Sequence, residues 1–97
     1  MRVIARPVLI RFIKRHRDAE GAIKAWYQEA RRAHWKTANE LKQQYANASI
    51  LRNGRVVFNL AGNKYRLIVG IHFKSKIVFI RFIGTHLEYD LIDAETI

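Results

Sequence analysis

Arg66 and Arg81 each break an otherwise apolar run with strand character, the first inside Tyr65–Lys74 and the second inside Ile77–Ile83. A guanidinium held in such a setting is costly unless it meets a carboxylate, a phosphate or a backbone carbonyl. Two readings are open: an internal ion pair with Asp90 or Glu88, or a phosphate clamp if both arginines face one groove. His86 follows the end of the second run and stands beside Tyr89 and Asp90. A turn placed there presents polar side chains from a rigid sheet, and an imidazole gives or takes a proton near neutral pH. Tyr89 is either an aromatic lid over the core or a phenol at the surface. His72 shares a strand face with Arg66. Cation, imidazole, phenol and carboxylate together are the tools of phosphate binding and proton transfer.

Other chemistries lack their residues. No P-loop or dinucleotide glycine pattern occurs, and Gly84-Thr85 has no upstream glycine and lysine to cradle a phosphate. His16, His34, His72 and His86 are scattered without the spacing of metal ligands, so neither a metal nor a cofactor is expected. Ser49 and Ser75 sit in no nucleophile elbow. With no cysteine, disulfide scaffolding and thiol catalysis are excluded, and a reducing compartment is the natural setting.

The charge balance points to a polyanionic partner. Eighteen Lys and Arg oppose eight Asp and Glu, a formal net charge of +10 on 97 residues. Four of the acids, Glu88, Asp90, Asp93 and Glu95, fall in the last ten residues, so the body is more basic than the whole. Arg11, Lys14, Arg15, Lys24, Arg31, Arg32 and Lys36 crowd the first third, where three acids cannot offset them. They are solvated helix faces or an RNA-docking surface, and Trp35 beside Lys36 is a possible stacking platform for a base. No apolar run reaches the roughly 18–20 residues of a membrane span, so a cytoplasmic location without a membrane partner is expected.

The length suits one domain, 1–97. Near residue 46 the apolar period changes from helical to strand-like. Pro7 opens a helix whose Leu9, Phe12, Ile13 and His16 share a face. Asp18 is placed to cap a second helix, with the stripe Ile23, Trp26, Tyr27 and Ala30. Thr37 with Glu40 predicts a third, shorter helix to about Tyr45. Turns at Asn53-Gly54, Ala61-Gly62-Asn63 and Lys74-Ser75-Lys76 then separate β-prone runs, and Tyr65, Leu67, Val69, Ile71 and Phe73 share one strand face. Ile77–Ile83 reads as an interior strand, Arg2–Ala5 as an extra edge strand, and Thr85 with Glu88 as the cap of a short closing helical turn. The expected class is α+β: two to three N-terminal helices packed on a twisted antiparallel sheet of three to five strands.

Gly62-Asn63-Lys64-Tyr65-Arg66-Leu67, Phe79-Ile80-Arg81-Phe82-Ile83-Gly84-Thr85-His86 and Glu88-Tyr89-Asp90 resemble the HigB toxins of the RelE/ParE superfamily, as do Ala25-Trp26-Tyr27 and Ser49-Ile50-Leu51. The resemblance spans essentially the whole chain and implies a RelE-like toxin of a type II toxin-antitoxin system. Such a toxin enters translating ribosomes and cuts mRNA by metal-independent 2′-OH attack. Its implied partners are mRNA, the ribosomal RNA, and a HigA-like helix-turn-helix antitoxin through which alone it meets operator DNA. Carried onto this sequence, the resemblance implies Arg66 and Arg81 on the scissile phosphate and His86 with Tyr89 in acid-base work. Asp90 would orient His86 or act as base. Lys64 and His72 join the helical cations as RNA contacts. A basic RNA- or ribosome-binding module without turnover, and a ParE-like gyrase inhibitor, are the alternatives.

Overall fold

The computed structural model describes all residues, Met1–Ile97. Strand β1 (Arg2–Ile4) leads into helix α1 (Arg6–Arg15), a 3₁₀ turn (Arg17–Ala19), and helices α2 (Glu20–Arg32) and α3 (Ala38–Gln44). Strands β2 (Ser49–Ile50), β3 (Arg55–Leu60), β4 (Tyr65–His72) and β5 (Ile77–Thr85) follow, and α4 (His86–Asp90) closes the series. The sheet order is β1-β5-β4-β3-β2. Strands β2 to β5 form the expected antiparallel meander, while β1 lies parallel to β5, so the sheet is mixed. The parallel edge follows from connectivity, since three helices separate β1 from the meander and let the chain return in either direction.

The turns sit where the sequence places them. Asn53 and Gly54 both have positive φ (58° and 68°), as the β2–β3 hairpin requires, and Ala61, Gly62 and Asn63 do so between β3 and β4. Pro7 stands in the first turn of α1, and Lys14 and Arg15 in its last turn oppose the helix dipole favourably. One helix start departs from expectation. Asp18 does not cap α2, whose N-cap is Ala19 without a side-chain bond; its carboxylate instead accepts from Tyr65 Oη (2.6 Å) and Lys64 Nζ. The intervening 3₁₀ turn moves the helix start one residue on, and Asp18 bonds to Lys64 and Tyr65 instead.

One face of the sheet meets the helices. Leu9, Phe12, Ile23, Trp26, Ala30 and Leu41 pack on Val56, Phe58, Leu67, Val69, Val78 and Ile80 in the main core. Phe12 meets Tyr65 edge-on at 5.3 Å and Trp26 meets Phe58 at 5.4 Å, the arrangement aromatic quadrupoles favour. Trp35 belongs to this core, 4% exposed, with Nε1 donating to Gln44 Oε1 at 3.1 Å; it offers no surface for stacking on a base. The opposite face is different. There Val57, Ile68 and Phe82 are covered by Leu51 and by Tyr89, Ile92, Ala94 and Ile97 of the C-terminal segment.

Candidate functional site

The β4–β5 register decides which side chains share the thinly covered face. Arg66 pairs with Gly84, Ile68 with Phe82 and Gly70 with Phe79. These residues, with His72, point away from the helices, because Tyr65, Leu67, Val69 and Ile71 between them are buried in the main core. Arg66 is half-buried. Its Nη1 donates to the Asn63 carbonyl at 2.6 Å, and its guanidinium lies 5.9 Å from the centre of the Tyr89 ring. Neither Asp90 nor Glu88 pairs with it, so the internal ion pair is not formed. Gly84 is required beside it: a Cβ there would come within 2.5 Å of Phe82 Cζ.

Helix α4 sets Tyr89 against Arg66 and carries His86 and Asp90. Thr85 and Glu88 form the full capping box, with Glu88 N–H donating to Thr85 Oγ1 (3.2 Å) and Thr85 N–H to Glu88 Oε1 (2.8 Å). That second bond is the main reason the Glu88 carboxyl is held below its ordinary pKa. Glu88 is thereby committed to the cap. His86 and Asp90, one turn apart on the exposed side of α4, face each other with Nδ1 and Oδ2 at 3.1 Å. The contact fixes the ring by one nitrogen and leaves Nε2 directed outward.

His86 also forms the rim of an open cleft of about 730 Å³ between α4, the end of α1 and the start of β4. Arg15, His16, Arg17 and Lys64 line it, and Asp18 is its one acid. Lys64 Nζ and Tyr65 Oη both bond Asp18. The lysine bond first, and the tyrosine bond second, hold the Asp18 carboxyl below its ordinary pKa, and the same contacts raise Lys64 and Tyr65. His16 stacks on Phe12 (4.4 Å) and meets Tyr65 edge-on (5.4 Å), so this wall is rigid.

Arg81 stands elsewhere on the same face. It is the extra residue of a β-bulge, opposite the step from Ile68 to Val69, and it is exposed. Its guanidinium lies 5.5 Å from the Phe79 ring and approaches Gly70 together with Arg55. Arg66 and Gly70 are four residues apart on β4, about 13 Å at ~3.3 Å per residue, and Ile68 and the C-terminal segment lie between them. The structure therefore places Arg66 beside Tyr89, with the His86–Asp90 pair on the same helix α4, and Arg81 with His72 at the other end of the strand pair. Arg55 is the residue sequence reading missed. Its signal was Gly70, since a glycine inside a strand marks a close approach.

The helical cations are distributed around the molecule. Arg11 and Lys14 are exposed on α1 and Arg15 reaches the His86 cleft. Lys24 pairs with Glu20 at 3.0 Å. Arg31 and Arg6 both lie against the Tyr27 ring, at 5.7 and 5.1 Å, beside a second open cleft that also holds Arg2, His34 and Lys76. Arg32 and Lys36 are exposed. No three His, Cys, Asp or Glu side chains come together as metal ligands would. No helix is long and apolar enough to cross a membrane.

A basic mixed sheet backed by three helices, with an α4 that carries His86, Tyr89 and Asp90, can be compared with known proteins. No curated protein matches the chain. The model of the HigB toxin family, described as the RelE-like toxic component of a toxin-antitoxin system, matches residues 19–92. That span runs from the end of the 3₁₀ turn through α4 and includes both arginine groups of the sheet face. The chain belongs to the HigB family of RelE-like toxins, the toxic components of toxin-antitoxin systems.

Proposed function

We propose that this toxin is a ribosome-dependent mRNA endoribonuclease that arrests translation, a single RelE-like domain working in the cytoplasm. The observations that carry the reading are Arg66 beside the Tyr89 ring and the His86–Asp90 pair on the same helix α4, with His86 at the rim of a cleft rich in cations. Cleavage needs few parts. The 2′-oxygen attacks the adjacent phosphorus, the bond from phosphorus to the 5′-oxygen breaks, one proton leaves the 2′-OH and one reaches the departing oxygen. The products are a 2′,3′-cyclic phosphate and a 5′-hydroxyl.

Each side chain then has a role. The Arg66 guanidinium balances the extra negative charge of the phosphorane. His86 presents Nε2 for proton transfer, with Asp90 orienting the ring through Nδ1. Tyr89 supports the Arg66 guanidinium with its ring and has a hydroxyl free of internal bonds. These groups need no cofactor or metal for the steps described. Arg11, Lys14, Arg15, Arg31, Arg32 and Lys36 supply the phosphate contacts that hold the toxin on ribosomal RNA, with Lys24 and Lys64 adding to them from their carboxylate pairs. The antitoxin implied by the family is a HigA-like helix-turn-helix protein, and operator DNA is reached through it.

Expression with primer extension on translated messages tests the proposal. The expected result is growth arrest with new 5′ ends within coding regions, both lost in Arg66→Ala. Arrest without new ends, whether from ribosome binding alone or from inhibited DNA supercoiling, would overturn it.

A further inference from the structure

Two guanidinium groups cross over one glycine at the far end of the sheet face. The β3–β4 register sets Arg55 opposite Gly70, and the bulge in β5 turns Arg81 toward the same point. A Cβ on Gly70 would lie 3.1 Å from Arg55 Nη1 and 3.4 Å from Arg81 Nε, so a side chain at this position would crowd the first cation and touch the second. No Asp or Glu side chain pairs with either arginine. Like charges this close repel one another unless an anion joins them.

The surrounding contacts hold Arg55 in place and leave Arg81 open. Arg55 Nε and Nη2 donate to the Ile97 main-chain oxygen at 3.0 and 2.8 Å, which fixes the side chain from behind. Arg81 rests on the Phe79 ring and has no hydrogen-bond acceptor within the protein. His72 Nδ1 accepts from Ser75 N–H at 3.3 Å, so the ring's proton is on Nε2 and the imidazole is a donor toward solvent. Arg55, Arg81, His72 and Phe79 line one open cleft of about 180 Å³, and no acid is among its walls. Such a site offers only donors and positive charge, the chemistry of oxoanion recognition.

We propose that Arg55, Arg81 and His72 form a second phosphate subsite, which takes a backbone phosphate of the RNA strand whose reacting linkage lies at Arg66, Tyr89 and His86. The identity of the anion rests on the RNA-cleaving reading of the toxin. The about 13 Å between Arg66 and Gly70 along β4 excludes a single phosphate touching both groups. A phosphate contact positions a strand without reading its sequence, so the subsite sets register and affinity and leaves the proton transfers to α4.

The test uses the full-length toxin and an unpaired RNA oligonucleotide in which one neutral methylphosphonate linkage is moved position by position. Wild type loses about tenfold in affinity when the neutral linkage reaches this subsite, the loss expected for one charge-assisted contact. Arg81→Gln and Arg55→Gln each bind unmodified RNA about tenfold more weakly and no longer respond to that linkage. The slope of log K against log salt falls by about 0.7 for each contact removed. Gly70→Ala, whose methyl would crowd Arg55 Nη1 and touch Arg81 Nε, weakens binding by less than either arginine change and removes no charge. If wild type binds and cuts RNA while all three variants keep its affinity and salt slope, the subsite is wrong and the nuclease stands. If wild type cuts translated messages but does not bind the oligonucleotide, the subsite is wrong; if it cuts no translated message, the nuclease reading fails and this assignment falls with it.

Discussion

His86 Nδ1 and Asp90 Oδ2 lie 3.1 Å apart across one turn of α4, both side chains about half exposed. An exposed pair of this kind adds little to stability, so its value is in the direction it gives the imidazole. His86→Ala is expected to slow message cleavage about 10²–10⁴-fold. Asp90→Asn slows it less, and the double variant is no slower than His86→Ala alone, because the two residues act as one unit. Single-turnover cleavage on stalled ribosomes measures all three.

Arg66 tests charge stabilisation separately. Arg66→Ala is expected to lower the cleavage rate by about 10²–10³-fold, the range for removal of one preorganised donor to a developing anion. Arg66→Lys keeps the charge but loses the planar fork that both bonds Asn63 and lies against Tyr89. Its rate should fall between wild type and Arg66→Ala.

The capping box couples stability to activity. Thr85→Ala removes the bond to Glu88 N–H and should cost about 0.5–2 kcal/mol in urea unfolding. Because α4 has only five residues and carries His86, Tyr89 and Asp90, the same change should reduce cleavage by more than the stability loss explains. Thr85→Ser, which keeps the hydroxyl, restores both readouts.

Acid unfolding should depend on Asp18. Its carboxyl is held below the ordinary 3.8 by Lys64 first and Tyr65 second, so the folded state binds that proton less readily than the unfolded chain. The contribution is therefore complete above 3.8 and is lost as the pH falls through the lowered folded value. In urea midpoints measured down this range, wild type loses stability more steeply than Asp18→Asn, and the two curves converge in acid.

Phe12 joins α1 to the sheet through Tyr65 and is 1% exposed. Phe12→Ala should cost about 3–5 kcal/mol. It also removes the ring on which His16 stacks, loosening the wall of the His86 cleft. Thermal unfolding gives the first effect and hydrogen exchange along α1 the second.

Much of this arrangement was legible in the residues, because local rules were strong where they applied. Asn53-Gly54, Pro7 and the Thr85/Glu88 pair each specify one conformation, and alternation along Tyr65–Phe73 identifies the buried face. What failed depended on partners distant in sequence. Asp18 looked like a cap until β4 supplied Lys64 and Tyr65, and Trp35 looked exposed until α3 supplied Gln44. The grouping of the arginines was hidden for a similar reason. A single bulged residue in β5 sends Arg81 toward Arg55, a neighbour visible only once β3 and β4 are in register.

The segment from Ile92 to Ile97 crosses the sheet face above Val57 and Ile68, between Arg66 and Gly70. It is a hurdle in the middle of the track. A ligand that reaches both ends has to bend over it, which a flexible, unstacked strand can do and a stiff double helix cannot. On the proposed RNA-cleaving reading, a preference for unpaired strands follows from the contour of this segment, before any base is read.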